Sequence, residues 1–363
     1  WDLAFHCIPL ALVDAEFAKQ QLILLTREWY MHPNGELPAY EWAFGDVNPP
    51  VHAWAAMRVY RMDAERTGKA DTAFLKRIFN KMLLNFTWWV NRKDAEGRNI
   101  FQGGFLGLDN ISLFDRSAVL PTGGYINQSD GTAWMAFYCL TMLDIALELA
   151  QGDPAYQDMV VKFFEHFLAI AVAIGGINRD GIGLWDEDDG FFYDVLRLPG
   201  GEMLPLKVRS LVGLIPLLAV ETVGQPMLER VPEFASSMRW LVRHRPHLTG
   251  NIAEIEVPDY GSSVICSIPT QERLVRVLRY MLDESEFLSD YGIRSLSKVH
   301  EANPYSVIVG GETFSISYQP AESRSGLFGG NSNWRGPIWF PINYLLIEAL
   351  HRYHRYYGDT LTV

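Results

Sequence analysis

Residues 72–90, TAFLKRIFNKMLLNFTWWV, carry the pattern that decides the fold of this chain. Apolar side chains recur there at steps of three and four residues, which places them on one side of an α-helix. They are Leu75, Ile78, Phe79, Met82, Phe86 and Trp89. The spacing predicts a helix over Thr72–Val90 that packs one face against a hydrophobic core.

The same helical pattern recurs along most of the 363 residues. Further helices are predicted at Ala15–Tyr30, Pro50–Arg66, Thr132–Ala150, Lys207–Val223, Met227–Arg243, Gln271–Glu284 and Pro337–Tyr356, and another follows the cap at Asp153-Pro154. Alternation typical of strands is confined to short pieces such as Ser306–Val309 and Phe314–Tyr318. The sequence therefore predicts an all-α fold.

The predicted helices come in pairs joined by brief turns, and long loops rich in glycine and aromatic residues separate the pairs. These loops are Met31–Pro49, Asn99–Ser129, Arg179–Leu206 and Ser285–Gly336. Loops of this length are uncommon inside a compact domain and usually serve a function. The alternation is typical of an (α/α) toroid, a ring of helical hairpins with its long loops at one end. Because no linker divides the chain, we predict a single domain over residues 1–363.

Composition narrows the range of partners. The net charge is −12 and no long run of Lys or Arg is present, which argues against nucleic acid. Aromatic residues make up 13% and include 11 Trp, a composition that suits carbohydrate binding, although Trp also fills hydrophobic cores.

The longest apolar run, about Leu211–Val220, is too short to cross a membrane. The three cysteines Cys7, Cys139 and Cys266 are widely spaced, and no signal-peptide pattern follows Trp1, so we predict a cytoplasmic protein.

The long loops and the chain start hold carboxylates, amides, an arginine and indoles, the groups that recognise polyols and perform acid–base chemistry. The candidates are Trp1, Asp2, Trp42, Asp46, Asn48, Asp109, Asn110, Asp115, Trp185, Trp334, Arg335 and Trp339. The polar residues of these regions also have structural interpretations. Asp2 and Asp130 can cap helices, the acidic run 186–189 can be a solvated loop or a set of calcium ligands, and Arg335 can be an ion-pair partner. No GxSxG, HExxH or Cys–His pattern occurs, so we predict carboxylate chemistry without a metal or cofactor.

Two segments, GFLGLDN at 104–110 and NWRGPIW at 333–339, together with Trp1-Asp2, resemble glycoside hydrolase family 63. The resemblance extends over essentially the whole chain and is strongest to bacterial members near mannosylglycerate and glucosylglycerate hydrolases. Processing α-glucosidases are more distant relatives. The resemblance implies an (α/α)6 barrel that inverts configuration at an α-linked glucoside or mannoside, such as a glycosylglycerate or an α-gluco-oligosaccharide.

The resemblance also implies roles for individual residues. Asp109 matches the general acid. Sugar binding is assigned to Trp1, Asp2, Trp42, Asp46, Asn48, Asn110, Asp115, Trp185, Trp334, Arg335 and Trp339. The family's general base is a glutamate beyond the last predicted helix, whereas this chain ends at Val363. We therefore expect a toroid that is incomplete at its C-terminus and belongs to a longer protein.

Two other functions remain open at this stage. A sugar 2-epimerase has the same barrel but uses paired histidines in its pocket, and the long loops show no such pair. A sugar-binding toroid without activity is the non-enzymatic alternative. Both glucose and mannose remain candidates for the glycone.

Overall fold

Helices are the main elements of the computed structural model, which describes residues 1–40, 44, 46–94, 97–102, 104, 106–108, 111–116, 118–176, 183–249, 264–320 and 337–363. The helices in these residues are α1 (Asp2–Val13), α2 (Ala15–Leu25), α3 (Val51–Thr67), α4 (Thr72–Val90), α5 (Ser129–Ala150), α6 (Gln157–Ile174), α7 (Gln225–Arg230), α8 (Pro232–His244), α9 (Pro246–Thr249), α10 (Gln271–Met281), α11 (Val299–Ala302) and α12 (Phe340–Tyr357). The prediction of a mainly helical protein is confirmed, and α4 has the predicted bounds.

The first six helices form three pairs, α1–α2, α3–α4 and α5–α6, each joined by a short turn. Asp14 separates α1 from α2 and caps α2, because its carboxylate accepts a hydrogen bond from the Phe17 N–H at 2.9 Å. Gly68, at φ 69°, ends α3, and Asp71 then caps α4. The predicted helix Ala15–Tyr30 therefore ends earlier, at Leu25.

Burial divides these helices into an inner and an outer set. Every residue of α5 is buried except Asp144 and Glu148, and α3 is buried throughout its first two turns. Helices α4 and α6 instead bury one face and expose the other. Helix α3 contacts both α1 and α5, while α4 and α6 pack on their inner partners. This alternation of buried and amphipathic helices is the arrangement expected of a helical toroid.

Helix α5 is also long and apolar enough to cross a membrane by length and composition, with a mean hydropathy of 1.4 over 18 residues. Of that window, 89% is buried inside the protein. The apolar composition of α5 is therefore explained by its central position in the core.

The prediction of a helix over Lys207–Val223 is wrong. The chain forms two 3-10 turns, Leu211–Gly213 and Ile215–Leu218, followed by a strand. Gly213 lies against the backbone of Phe192 and the ring of Phe191, where a Cβ atom would overlap both. Pro216 lacks the N–H that a continuous helix requires.

The predicted helix Met227–Arg243 is divided into α7 and α8. The division falls at Val231, which precedes Pro232 and has φ −124° and ψ 68°. A residue before proline is disfavoured in helical conformation, so the helix restarts at Pro232.

The structure has more strands than the sequence predicts. They are β1 (Tyr125–Asn127), β2 (Trp185–Asp186), β3 (Phe191–Phe192), β4 (Asp194–Arg197), β5 (Met203–Leu206), β6 (Val220–Val223), β7 (Val264–Ser267), β8 (Leu288–Ser289), β9 (Gly292–Ile293), β10 (Tyr305–Val309) and β11 (Glu312–Ile316). Strand β4 pairs antiparallel with both β1 and β5, and β10 pairs with β11 near the predicted positions. Most strands thus lie in the long predicted loops, so an all-α description is incomplete.

A second hydrophobic cluster, which we name the mouth core, joins three of the long predicted loops. It consists of Leu113, Phe114, Leu120, Ile126, Leu196, Leu206, Val208, Leu296, Ile316 and Tyr318. The Phe114 and Phe314 rings lie 4.8 Å apart between centroids, which attaches the β10–β11 hairpin to the segment before β1. The loops are therefore held by their own apolar contacts as well as by the helices.

We expect Phe114→Ala to lower the free energy of unfolding by about 3–5 kcal/mol, the usual cost of emptying a buried phenylalanine site. Phe114 is 3% exposed. Urea unfolding followed by fluorescence measures the change. Ile308→Ala, at a position of β10 that is 71% exposed, is the matched control and should change stability by less than about 0.5 kcal/mol. Equal effects of the two substitutions would show that the mouth core does not contribute to stability.

Candidate active site

A cavity of about 300 Å³ lies where α3 and α5 begin. Its described lining residues are Asp46, Arg92, Gln102, Gly104, Arg116, Ala118, Val119, Leu120, Gly124, Tyr125, Ile126 and Gln128. They come from the loop before α3, from the end of α4 and from the segment that leads into α5. The cavity thus combines a carboxylate, two guanidinium groups and two amides, which can together bind the hydroxyl groups of a polyol.

The loop before α3 carries Asp46 into this cavity. The Asp46 side chain accepts a hydrogen bond from the Tyr40 hydroxyl at 3.0 Å, and its carbonyl accepts one from the Ala39 N–H at 2.8 Å. Asn48 donates from Nδ2 to the Pro38 carbonyl at 3.3 Å and so braces the same loop. Of these two predicted residues, Asp46 lines the cavity and Asn48 supports its position.

Arg116 forms a fully buried ion pair behind the cavity wall. Its Nη2 atom lies 2.6 Å from Oδ1 of Asp130, in the first turn of α5, and both side chains are 0% exposed. The Asp130 Oδ1 atom also accepts a hydrogen bond from the Gly131 N–H at 2.8 Å. Asp130 therefore joins the first turn of α5 to Arg116, the residue that supports the cavity wall.

A second buried carboxylate, Asp194 on β4, lies close to this pair. Its Oδ1 atom accepts a hydrogen bond from the Ser129 N–H at 2.7 Å. Burial raises the pKa of Asp194 to about 7, with a further contribution from the negative charge of Asp130, and Arg116 partly opposes both effects. One buried guanidinium thus faces two carboxylates, and the proton on Asp194 reduces the excess negative charge.

The other predicted residues that the structure describes lie away from the cavity lining. Trp1 is half-buried with its ring 5.7 Å from Phe5, and Asp2 is exposed in the first turn of α1. Asp115 is half-buried next to Arg116 in sequence, and Trp339 is 2% exposed at the start of α12. Trp42, Asp109, Asn110, Trp334 and Arg335 lie outside the described residues.

Trp185 has structural partners beside α10. Its indole N–H donates to Glu187 at 2.6 Å, and the guanidinium of Arg273 lies 4.9 Å from its ring. The acidic run that follows forms ion pairs, with Asp186 and Asp189 both near the ammonium of Lys207. Within the described ranges, no group of three or more His, Cys, Asp or Glu side chains could hold a metal ion.

Sequence reasoning missed several polar residues of the site, namely Arg92, Gln102, Arg116, Gln128, Asp130 as an ion-pair partner, and Asp194. A usable signal existed for some of them. Gln128, Ser129 and Asp130 stand at the start of an almost wholly apolar helix, and polar residues at that position point to an end that faces a site. Asp194 follows an aromatic strand and has no local pattern that marks it.

Residues 1–109 match the sequence model of a family described as the mannosylglycerate hydrolase MGH1-like glycoside hydrolase domain. The predicted resemblance to glycoside hydrolase family 63 is confirmed. The match ends at Asp109 and includes the predicted residues Trp1, Asp2, Trp42, Asp46, Asn48 and Asp109.

Similar solved structures share the fold at low sequence identity. The GH63 mannosylglycerate hydrolase from Thermus thermophilus, solved in complex with glucose, is 17% identical with a TM-score of 0.58, and the match covers 97% of this chain and 80% of that one. An uncharacterized conserved protein from the same organism is 18% identical with a TM-score of 0.59, covering 97% and 79%. These likenesses establish the fold.

A curated relative is much closer in sequence. An uncharacterized protein of Saccharomyces cerevisiae is 53% identical over 375 residues, which cover 100% of this chain. The chain spans about one third, 34%, of the length of that relative.

We expect Asp194→Asn to reduce the pH dependence of stability. The folded protein holds a proton on Asp194 up to about pH 7, whereas the unfolded chain releases it near pH 4. The free energy of unfolding of the wild type should therefore fall by about 1–3 kcal/mol between pH 5 and 8, and the variant should lack most of this loss. Urea unfolding at both pH values measures it. Asp158→Asn, at an exposed site on α6, should behave as the wild type, and an unchanged slope in Asp194→Asn would contradict the assignment.

Proposed function

We propose that residues 1–363 form a single catalytic domain of an inverting glycoside hydrolase with an (α/α)6 barrel. The substrate class is an α-linked glucoside or mannoside, either a small glycoside such as a glycosylglycerate or an α-gluco-oligosaccharide. The observation that carries the proposal is the cavity of carboxylate, guanidinium and amide groups at the start of α3 and α5. Its wall belongs to the same segment as the GLDN motif, where the family match ends.

The barrel is supported by the pairing of α1–α2, α3–α4 and α5–α6 and by the position of α12. Helix α12 contacts β6 and the 3-10 turn Ile215–Leu218, which also lies against α5. Elements from both halves of the chain thus contact one another around a shared interior. Solved structures of a family 63 enzyme match 97% of the chain.

Asp109 is the proposed general acid. A general acid must keep its proton near neutral pH, which requires apolar surroundings or a neighbouring negative charge. Leu106, Leu108 and Ile111, its described neighbours in sequence, are all 0% exposed, and we propose that they give the acid such surroundings. In this mechanism Asp109 donates its proton to the glycosidic oxygen as the bond to the anomeric carbon breaks.

The other groups of the cavity bind and orient the sugar. Asp46 can accept hydrogen bonds from two hydroxyl groups, while Arg92 can only donate them, and the buried Arg116 supports the wall behind them. Gln102 and Gln128 can do both. The family resemblance proposes a larger set of sugar-binding residues beside Asp46 and the acid Asp109. They are Trp1, Asp2, Trp42, Asn48, Asn110, Asp115, Trp185, Trp334, Arg335 and Trp339.

Inversion requires a second carboxylate on the opposite face of the sugar, roughly 6.5–9.5 Å from the first, to activate water. We propose that this base is a glutamate outside residues 1–363, as the family resemblance implies. We propose a cytoplasmic location, and Cys7, Cys139 and Cys266 are all free and buried.

A sugar 2-epimerase receives less support from the structure. That chemistry needs paired histidines in the pocket, and the described lining residues of the cavity include none. His52 is buried between inner helices, where its Nε2 lies 3.2 Å from the Tyr138 hydroxyl, and burial lowers its pKa to about 3. It is thus placed as a neutral core residue.

We expect Asp109→Asn in the natural protein to lower kcat on an unactivated glycosylglycerate by about 10²–10⁴-fold, with sugar binding largely retained. The amide keeps the shape of the carboxyl group but cannot donate a proton to the leaving oxygen. A glycosyl fluoride needs little protonation, so its hydrolysis should be partly restored. Asp158→Asn, on the surface of α6, is the control and should leave both rates unchanged.

Proton NMR of the first product formed from an α-glycoside checks the stereochemistry, and the β-anomer is expected. Near-normal hydrolysis by Asp109→Asn would contradict the assignment of the acid. Saturable sugar binding by the wild-type protein, without hydrolysis of any α-glucoside or α-mannoside, would instead favour a non-catalytic sugar-binding toroid.

A further inference from the structure

His300, on the short helix α11, is hydrogen-bonded to three segments that surround the mouth core. Its ring Nε2 atom accepts a hydrogen bond from the Arg209 N–H at 3.0 Å, and its Nδ1 atom lies 3.2 Å from the Asn303 carbonyl oxygen. The His300 carbonyl accepts a hydrogen bond from the Tyr318 N–H at 3.2 Å. His300 is 5% exposed. It therefore joins the segment after β5, the start of β10 and the segment after β11.

These hydrogen bonds define which ring nitrogen carries the proton. A backbone N–H can only donate, so Nε2 must offer a lone pair to Arg209, whereas the Asn303 carbonyl can only accept, so Nδ1 must carry the proton. The contacts thus require a neutral imidazole. In a protonated ring, the Nε2–H would face the Arg209 N–H, and two donors would meet without an acceptor. Protonation of His300 is therefore incompatible with this contact.

The surroundings of the ring also disfavour its charged form. Burial lowers the pKa of His300, the Asn303 carbonyl partly opposes this effect, and the positive charge of Arg209 lowers the pKa further. The Arg209 guanidinium is itself held in place, because it pairs with Glu286 and lies 4.4 Å from the centre of the Tyr280 ring. The titratable groups on the surrounding segments are Lys207, Arg209, Tyr280, Glu286, Tyr305 and Tyr318, with Lys298 and Glu301 on α11 itself. Of these described groups, Arg209 is the one whose charge shifts the pKa of His300.

The contacts of His300 lie directly beside members of the mouth core. Val208 precedes the arginine whose N–H the ring accepts, and Tyr318 belongs to the cluster itself. Two other members of the cluster, Leu120 and Ile126, also line the cavity. A change at the ring can therefore reach the wall of the cavity through a continuous set of apolar contacts.

We propose that His300 is an acid-sensitive latch of the mouth core: the neutral ring joins the segment after β5 to α11, and the protonated ring releases that contact so that the mouth core opens locally. A proton binds Nε2 when the contact is broken, so acid favours the open form. The latch needs no substrate and can be tested apart from hydrolysis.

The pH range follows from the two forms of the ring. In the open form the ring regains an ordinary histidine pKa of about 6.5, whereas in the closed form its pKa is lower. The closed form is therefore fully favoured above about pH 6.5, and its advantage is lost as the pH falls towards the pKa of the closed form. One proton changes the opening equilibrium by at most about tenfold per pH unit.

Hydrogen exchange of the natural protein at pH 7.5 and pH 5.0, followed by mass spectrometry, tests the latch. Each exchange rate is divided by that of the unstructured peptide at the same pH, which removes the intrinsic pH dependence and gives a protection factor. In peptides covering 205–212 and 296–304, we expect protection in the wild type to fall about 10–30-fold more than in His300→Gln between the two pH values. Glutamine can offer an acceptor oxygen in place of Nε2 but does not take up a proton.

Comparison between variants separates His300 from Asp194, whose raised pKa changes stability with pH in the opposite direction. His351→Gln, at an exposed position on α12, is the matched control and should respond to acid as the wild type does. If His300→Gln does not fold, His300→Asn also lacks a titrating ring. That variant should lose the same pH response even if its protection is lower at both pH values.

Two results would overturn the latch. An equal fall in protection in the wild type and in His300→Gln would show that another group responds to acid. An equal fall in peptides from α3, α4, α5 and α6 would show that acid unfolds the whole protein instead of releasing the mouth core.

Discussion

A helix that is buried on every side can carry polar groups only near its ends, and α5 imposes this constraint on the molecule. Residues 129–143 of α5 are all buried, and the partly exposed Asp144 and Glu148 lie in its last two turns. Its N-terminal end must also satisfy backbone N–H groups that have no partner within the helix. The carboxylate of Asp194 accepts one of them. The polar groups of the cavity therefore collect where α5 begins.

The loops around this end depend on a different interaction. The mouth core is apolar and is built from segments before β1, around β4 and β5, and in the β10–β11 hairpin. None of these segments is long enough to form a core alone, and the small sheet of β1, β4 and β5 pairs two of them. The helices fix where each loop starts and ends, while the mouth core fixes where the loops lie between those points.

Sequence predicts the amphipathic helices well, because one buried face leaves a periodic pattern. Helix α4 has the predicted bounds for this reason. Segments that are buried on all sides carry no such period, so their sequence does not distinguish a helix from other buried structure. Lys207–Val223 is an example, because its apolar sequence predicts a helix although the segment forms 3-10 turns and a strand. The short strands in the loops were missed because two to five residues cannot establish an alternation.

The same limit applies to the site. Asp46 could be predicted because its loop is rich in aromatic and polar residues, a composition that is visible locally. The pairing of Arg116 with Asp130 could not be predicted, because two residues that form a buried ion pair look the same in the sequence as two solvated charged residues. Its significance comes from complete burial, which only the three-dimensional packing creates. The family resemblance supplied Asp109, which composition alone would have left as one carboxylate among many.

The two hydrophobic cores differ in how far apart their members lie along the chain, and this affects the order of folding. The helices of the pairs α1–α2, α3–α4 and α5–α6 are joined by short turns and can pair early, because closing a short loop costs little entropy. The mouth core requires residues from Leu113 to Tyr318 to meet, so we expect its contacts to form later than those of the helix pairs. We expect the amide protons of its segments to exchange with solvent by local opening while the paired helices remain folded. Such an opening would let a ligand enter the cavity without disturbing the helices beneath it.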